Sequence, residues 1–200
     1  MDIIKITDKD QAKLAGQLIF QTDPYIYPAL FADEANAVKV IAELLRIPDE
    51  LFCADHIHLA CESGRCAGVI CAFSHGFRTS YEKWLGAFMR AQAYVPCTFK
   101  EAYDSYVHNL GLEAHPGIYL SNVCVSKENR NKGFGYRMME QFLSAGHIRE
   151  ASLDVLKDNH AAVSMYRRLG FTETGEYEGF AIGLQKPRCF HMVLRRGASE

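Results

Sequence analysis

The sequence predicts an α/β fold with a mixed sheet of about seven strands. Seven short segments rich in apolar residues alternate with segments in which apolar residues recur at helical spacing, and such alternation is typical of sheets covered by helices. No internal repeat or low-complexity tract interrupts the pattern. No linker rich in proline, glycine or serine divides it, so we expect a single domain over residues 1–200.

The predicted strands are bounded by turn residues. They cover residues 2–7, 56–62, 66–74, 117–125, 151–156, 172–180 and 188–195. Gly64 suits a tight hairpin turn between the second and third of them. Four helices are predicted from caps and apolar spacing. They run from Thr7 or Asp8 to residue 21, from 33 to 46, from 133 to 146, and from Asp158 or Asn159 to Leu169, with Gly170 as terminator.

Two segments predict irregular or inserted structure. Residues 23–28 hold two prolines, which favour an ordered loop over a regular helix. Residues 78–111 have helical spacing broken by Pro96 and predict an insertion of two short helices. The insertion is rich in aromatic side chains, which fit a lid over a ligand, a contact with a second subunit, or plain core. These are Tyr81, Trp84, Phe88, Tyr103 and Tyr106.

Composition excludes several classes of protein. The formal net charge of -2 argues against a nucleic-acid partner. No segment approaches the ~20 apolar residues of a membrane helix, and the N-terminus lacks the layout of a signal peptide, so we expect a soluble cytoplasmic protein with no membrane partner. The seven cysteines form no metal-ligand spacing, so we expect reduced, mostly buried thiols and no metal.

The most informative motif follows the strand at residues 120–125. Arg130, Asn131, Lys132, Gly133, Phe134 and Gly135 open directly into a helix that continues with Tyr136. Glycine lets the backbone approach a ligand closely, and the free N–H groups of a first helical turn attract anions. Arg130 and Lys132 add positive charge. The motif therefore predicts a pyrophosphate site, although a glycine-bearing turn with solvated charges would explain it equally well.

A second block twenty residues later strengthens this interpretation. Asn159, Ala162, Tyr166, Gly170 and Phe171 follow the next predicted strand at fixed spacing. Together with Arg130, Gly133 and Gly135 they resemble the R/Q-x-x-G-x-G/A and N-x-x-A-x-x-x-Y-x-x-x-G-F motifs of the GNAT superfamily of acyl-CoA N-acyltransferases. Two spaced motifs in the right order are far more specific than either one.

The resemblance implies a fold and a site. The sheet would be mostly antiparallel with helices on both faces, and its central strand pair would splay apart. Backbone groups of Val123 and Val125, with Cys124 between them, would bind the pantetheine arm of acetyl-CoA. The amides of residues 131–136 would hold the pyrophosphate, and Asn159 and Ala162 would line the cofactor's path.

The resemblance also implies a mechanism of direct transfer. A neutral amine would attack the thioester, with the N–H of Val123 or Cys124 stabilising the charge that develops on the carbonyl oxygen. Tyr166 would protonate the departing sulfur as the catalytic acid, although a tyrosine on an amphipathic helix can simply pack on the sheet. A non-catalytic acyl-CoA-binding protein and a dinucleotide-binding Rossmann-type protein stay as alternatives.

The general base and the acceptor are left open by the sequence. Many members of the family carry a glutamate on the motif strand, but Tyr119, Leu120 and Ser121 stand there instead. The candidate bases are Tyr119, His115, Asp55 and a water held by Ser121 or Asn122.

The acceptor would be an amine, most simply a small molecule. A polyamine, an amino acid, an aminoglycoside and a protein amine stay open, as does a homodimer. The segment with Tyr25 and Tyr27 could wall its pocket, and Asp23 or Glu34 could receive a cation; a hydrophobic plug is the alternative role for at least one of the two tyrosines.

Overall fold

The computed structural model describes residues 1–74, 79–110, 117–179 and 187–196, which form one seven-stranded sheet flanked by helices. The strands are β1 (Asp2–Lys5), β2 (Ile57–Glu62), β3 (Arg65–Ser74), β4 (Ile118–Val125), β5 (Glu150–Leu156), β6 (Thr172–Glu178) and β7 (Arg188–Arg195). The helices are α1 (Lys9–Phe20), α2 (Ile26–Phe31), α3 (Glu34–Leu44), α4 (Tyr81–Arg90), α5 (Phe99–Asn109), α6 (Phe134–Ala145) and α7 (His160–Arg168). A 3₁₀ turn, Lys127–Asn129, precedes α6.

The sheet is mixed and mostly antiparallel, as the resemblance implies. Its strand order is β1-β2-β3-β4-β5-β7-β6. Among the described strands only β4 and β5 run parallel, and they pair from Ile118 opposite Ala151 to Leu120 opposite Leu153. The last five residues of β4 have no partner on that side, so the two strands splay. A doubly wound Rossmann-type sheet is mostly parallel, whereas this one is mostly antiparallel, so that alternative is wrong.

Side chains alternate across the sheet and form two cores, one on each face. Val69 and Tyr119 pack with α1 to α5, whereas Leu120 and Leu153 pack with α6 and α7. Helices therefore cover both faces. None of the helices in the described ranges is long and apolar enough to cross a bilayer.

Three helices begin with a side-chain cap at or next to the start that the sequence predicts for each. Asp8 accepts a hydrogen bond from the N–H of Gln11 (2.8 Å) at the start of α1, and Asp33 accepts one from Asn36 (2.8 Å) at the start of α3. Asn159 accepts from the N–H of Ala162 (3.2 Å) at the start of α7. Each cap satisfies an N–H group that has no partner within its own helix.

The prediction of a loop through residues 23–28 is wrong for its second half. Helix α2 starts at Ile26 and includes Pro28. Proline is tolerated there because it occupies the first helical turn, where the missing N–H would have no intrahelical partner. The carboxylate of Asp23 accepts from the N–H groups of Tyr25 (2.7 Å) and Ile26 (3.0 Å), and so stabilises the start of the helix.

The insertion contains two helices, as predicted. Trp84 and Phe88 of α4 are fully buried and pack on the Phe31 and Phe99 rings. The indole N–H of Trp84 donates to the buried carboxylate of Glu50 (3.0 Å). Most of the aromatic residues in this segment are therefore core.

Two of the cysteines contradict the expectation of reduced thiols. Cys61 and Cys66 form a disulfide across the β2–β3 hairpin. They stand directly opposite each other because a register shift after Ala60 brings Cys61 into pairing with Cys66. The sequence interpretation missed this bridge because it depends on strand register. Cys53, Cys71, Cys124 and Cys189 are free and buried, as expected, whereas Cys97 is free and exposed.

Gly117 holds the start of β4 against β5. Its φ is +85°, and a Cβ there would lie 2.2 Å from the carbonyl oxygen of Glu150. We expect Gly117→Ala to lower the free energy of unfolding by about 3 kcal/mol or more, since a strained φ adds to an overlap with backbone. Gly64 is the matched control: its φ is +76° with open space around it, so Gly64→Ala should lose only about 1 kcal/mol. Urea unfolding of both variants measures the difference, and equal losses would contradict the prediction.

Candidate active site

The turn before α6 has the backbone shape of an anion site. Asn131 and Gly133 both adopt left-handed conformations, with φ of +60° and +71°. Gly133 is the N-cap of α6 and no side chain caps its N–H groups. The first turn of α6 therefore presents free donors and the positive end of the helix dipole. A negatively charged group would be stabilised there.

A cleft of about 410 Å³ runs from this turn to α7. It is lined by most of the residues predicted to bind a cofactor: Val123, Cys124, Val125, Arg130, Asn131, Gly133, Phe134, Gly135, Tyr136, Asn159, Ala162 and the predicted acid Tyr166. Lys132 is exposed and is not among the lining residues. Its carbonyl accepts a hydrogen bond from Nη1 of Arg137 (3.1 Å). The tertiary structure thus gathers both sequence motifs around one cleft.

The splayed edge of β4 offers unpaired backbone groups to this cleft. The N–H of Ser126 donates to the carbonyl of Ala67 (2.8 Å). Hydrogen-bonded and non-hydrogen-bonded pairs alternate along antiparallel strands, so Cys124 directs its N–H to β3 while Val123 and Val125 direct theirs away from it. The carbonyl of Val125 accepts from Nε of Arg130 (2.8 Å). The N–H of Val123 therefore faces the gap between β4 and β5.

Gly135 lies where the start of α6 is close to both β4 and α7. A Cβ at this position would lie 3.2 Å from Sδ of Met165 and 3.5 Å from Cγ2 of Val125. A side chain here would fill the space between them. The absence of a side chain at Gly135 thus leaves space in the cleft, whereas Gly133 allows the turn its left-handed backbone conformation.

A second cavity, of about 160 Å³, lies next to the cleft. Its walls include parts of β4, β5 and the segment before α2. The insertion reaches it through Tyr106 of α5 and Leu110, which directly follows that helix. Five residues line both the cleft and the cavity: Thr22, Val123, Asn159, Ala162 and Tyr166. The two spaces therefore meet where β4 and β5 part.

Tyr166 stands at this junction. Its side chain is 6 % exposed. Burial raises its pKa well above the usual range of a tyrosine, and the neighbouring Cys124 thiol adds to the rise. In the described parts of the chain, no group hydrogen-bonds its hydroxyl. A neutral, buried hydroxyl without a protein partner is suited to donate a proton to a ligand.

Asp154 lines the second cavity and is not among the candidate bases that the sequence suggests. Its Oδ2 accepts from the hydroxyl of Tyr119 (2.6 Å), and its Oδ1 lies 2.8 Å from Nδ1 of His191. Burial and the Asp154 carboxylate raise the pKa of Tyr119 and of Tyr177 well above the usual range. The signal in the sequence was a carboxylate in the middle of an apolar strand, but only the sheet brings it to Tyr119.

The other candidate bases are distributed differently. Tyr119, Ser121 and Asn122 line the second cavity. Asp55 is exposed and lines neither space, and His115 lies outside the described residues. Nδ2 of Asn122 donates to the hydroxyls of Thr22 (2.7 Å) and Tyr27 (2.6 Å), so its amide is committed to the protein.

The segment before α2 divides its roles between core and cavity. Tyr27 is 2 % exposed and packs in the core, which confirms the plug interpretation for this residue, and one side of it also borders the second cavity. Tyr25 and Asp23 line the second cavity. Glu34 lines neither space and instead accepts hydrogen bonds from Gln17 (3.3 Å) and Gln21 (3.1 Å). Within the described ranges no cluster of side chains could hold a metal ion.

Comparison with known proteins identifies the class to which this fold belongs. The family model described as "Acetyltransferase (GNAT) family" matches residues 19–171. The chain therefore belongs to the GNAT family of acetyltransferases. It is 40% identical over 74 residues to "GCN5-related N-acetyltransferase 7, chloroplastic" of Arabidopsis thaliana, a match that spans 35% of this chain and 27% of that protein.

Solved structures share the fold at low sequence identity. An N-acetyltransferase from Staphylococcus aureus Mu50 has a TM-score of 0.64 at 17% identity, covering 97% of this chain and 100% of that chain. The NatC complex bound to Gag peptide and CoA contains a chain with a TM-score of 0.56 at 16% identity, covering 98% of this chain and 100% of that one.

The cysteines around the site should differ sharply in reactivity. Burial raises the pKa of Cys71 to about 12 and, with the Asp154 and Asp23 carboxylates, that of Cys189 to about 11. Because the thiolate is the nucleophile, these thiols stay protonated and inert at pH 8. We expect iodoacetamide to modify exposed Cys97 first, and to modify Cys61 and Cys66 only after reduction. Peptide mass spectrometry reads the order, and early labelling of Cys189 would contradict this geometry.

Proposed function

We propose that this protein transfers the acetyl group of acetyl-CoA directly to an amine of a small-molecule acceptor. The observation that carries the proposal is the junction of the cleft and the second cavity at Tyr166. One space suits a long cofactor arm and the other a small second substrate. Between them stands the hydroxyl of Tyr166, which no group in the described ranges hydrogen-bonds. Two substrates bound on either side would meet at this residue.

The cleft accommodates the chemistry of coenzyme A. The free N–H groups of residues 131–136, with Arg130 beside them, would bind the pyrophosphate. The N–H of Val123 and the backbone of Val125 would hydrogen-bond the pantetheine arm along the splayed edge of β4. The membership of the chain in the GNAT family, and the CoA in the related NatC structure, support this assignment.

Residues at the junction supply the groups that acetyl transfer needs. The amine nitrogen forms a bond to the thioester carbonyl carbon as the carbon–sulfur bond breaks. The N–H of Val123 faces the gap and would stabilise the negative charge that develops on the carbonyl oxygen. The hydroxyl of Tyr166 would give its proton to the departing sulfur.

Asp154 would take the proton that the amine loses. The hydroxyl of Tyr119 donates to Oδ2 of Asp154 through a hydrogen bond of 2.6 Å. The Tyr119 oxygen can therefore accept a proton from the amine while the Tyr119 proton passes to Asp154. His191 supports the carboxylate from the other side. The absence of a glutamate on β4 had favoured a non-catalytic CoA-binding protein; a carboxylate supplied by β5 removes that reason.

Replacement of Tyr166 by Phe tests the acid. We expect the turnover number to fall about 100-fold or more, since general acid catalysis contributes 10²–10⁴-fold, while the dissociation constant for CoA changes little because the ring stays in place. Thiol release from acetyl-CoA measures turnover and calorimetry measures binding. Tyr94→Phe, at a tyrosine that is 65% exposed and outside the site, is the control. Unchanged turnover in Tyr166→Phe would refute the role.

Replacement of Asp154 by Asn tests the proton acceptor. The amide keeps the shape of the side chain but cannot take a proton, so we expect turnover to fall about 100-fold with little change in CoA binding. Tyr119→Phe should give a loss of similar size, because it breaks the path while leaving the carboxylate. Asp10→Asn, on the exposed face of α1, is the control. A purely structural Asp154 would instead lower the melting temperature and leave the turnover number and its pH profile unaltered.

A further inference from the structure

The second cavity contains two carboxylates and no lysine or arginine among its described lining residues. The carboxylates belong to Asp23, in the segment before α2, and Asp154, in β5. His191 contacts Asp154 but does not itself line the cavity. A ligand entering this space therefore meets negative charge from two different elements of the fold.

Other groups around the cavity respond to this negative field. The Cys189 thiol is a lining residue, and its pKa is raised by burial first and then by both Asp154 and Asp23. The two carboxylates thus act on one region of space. A low-dielectric cavity strengthens such a field, which disfavours an anionic ligand and favours a cation.

The walls of the cavity are suited to a small cation. Six tyrosines line it: Tyr25, Tyr27, Tyr106, Tyr119, Tyr166 and Tyr177. Aromatic faces attract ammonium groups. The volume of about 160 Å³ limits the ligand to on the order of ten heavy atoms, since one water needs about 10–15 Å³. The hydroxyl of Tyr166, which has no hydrogen-bond partner among the described residues, would mark the end at which the proposed transfer takes place.

The two carboxylates are placed for different tasks. Both oxygens of Asp154 are engaged, one by Tyr119 and one by His191. Oδ1 of Asp23 accepts two backbone N–H groups, but in the part of the chain that the structure describes no donor reaches its Oδ2. Asp23 therefore has an oxygen available for a charged ligand group, whereas Asp154 is connected to the path of the leaving proton.

We infer that the acceptor is a small diamine-type cation without a carboxylate, whose non-reacting ammonium binds Asp23 while its other amine faces Tyr166. This inference rests on the proposed function. The reacting amine must lose a proton to attack, but the second amine keeps its charge and pairs with Asp23. An amino acid would bring a carboxylate into a cavity whose described walls offer it no cationic partner.

Three matched probes test the acceptor class: 1,4-diaminobutane, butylamine and 4-aminobutanoate. They have the same reacting amine and carbon chain length but carry an ammonium, a methyl or a carboxylate at the other end. We expect kcat/KM for thiol release from acetyl-CoA to be about 10- to 100-fold higher for the diamine than for butylamine, the size of a charge-assisted hydrogen bond. The carboxylate compound should be the poorest of the three.

The variant Asp23→Asn tests whether Asp23 causes the preference for the diamine over butylamine. Asparagine keeps the oxygen that accepts from Tyr25 and Ile26 but loses the charge. We expect it to reduce kcat/KM for the diamine about 10-fold or more and to affect butylamine much less, so that the preference for the diamine over butylamine falls. Asp33→Asn is the matched control, because Asp33 caps α3 in the same way and lines neither space; it should leave the selectivity unaltered.

The outcomes separate this inference from the proposed function. Equal or better rates with 4-aminobutanoate, or an Asp23→Asn variant that keeps the full diamine preference, would overturn the acceptor class while leaving acetyl transfer intact. No turnover of any probe by a protein that binds CoA in calorimetry would also overturn the acceptor class. If the unmodified protein does not bind CoA in calorimetry, the proposed function itself is overturned. A normal melting temperature of Asp23→Asn establishes that its effect is not a folding defect.

Discussion

The site depends on the point at which β4 and β5 stop pairing. Three residue pairs join the strands, and after Leu120 they separate. Backbone groups inside a protein must find partners, so an unpaired strand edge in the middle of a sheet is a place where a ligand can complete the hydrogen bonding. The same gap lets the cleft beside α6 and α7 meet the cavity on the other side. One interrupted ladder thus leaves an unpaired backbone edge and also opens the cleft to the second cavity.

Two glycines protect this arrangement at opposite ends of β4. Gly117 allows the close approach to Glu150 at the end where the strands pair, and Gly135 keeps the cleft open at the end where they part. The polar groups near the junction are of two kinds: some hydrogen-bond within the protein, and others are available to a ligand. Asn122 bonds to Thr22 and Tyr27, whereas Tyr166 has no hydrogen-bond partner within the described residues. The contrast distinguishes a structural polar network from a group suited to meet substrate.

The second cavity shows how a carboxylate can be supplied by a different strand from the one that the motif suggests. Tyr119 stands on β4 at the position compared with the glutamate of many family members, but its hydroxyl is bonded to Asp154 of β5. The pair is made possible by the register that sets Tyr119 opposite Ser152, two residues from Asp154 on the same side of the sheet. Negative charge therefore reaches this part of the sheet from a neighbouring strand.

The sequence by itself determined the elements and the cofactor-side motifs, because these depend on local spacing: Asp8, Asp33 and Asn159 cap helices within three residues of their partners, and Gly133 with Gly135 shapes a turn of a few residues. Helix α2 is not predicted by the sequence, because two prolines close together favour a loop and only the structure places Pro28 in a first helical turn, where proline is tolerated. The tertiary structure decided three further features. They are the Cys61–Cys66 bridge, the Tyr119–Asp154 hydrogen bond, and the placement of Asp23 and Asp154 around one cavity. Each of these needs strand register or the packing of distant segments, and such contacts between residues far apart leave no periodic signal in a single sequence.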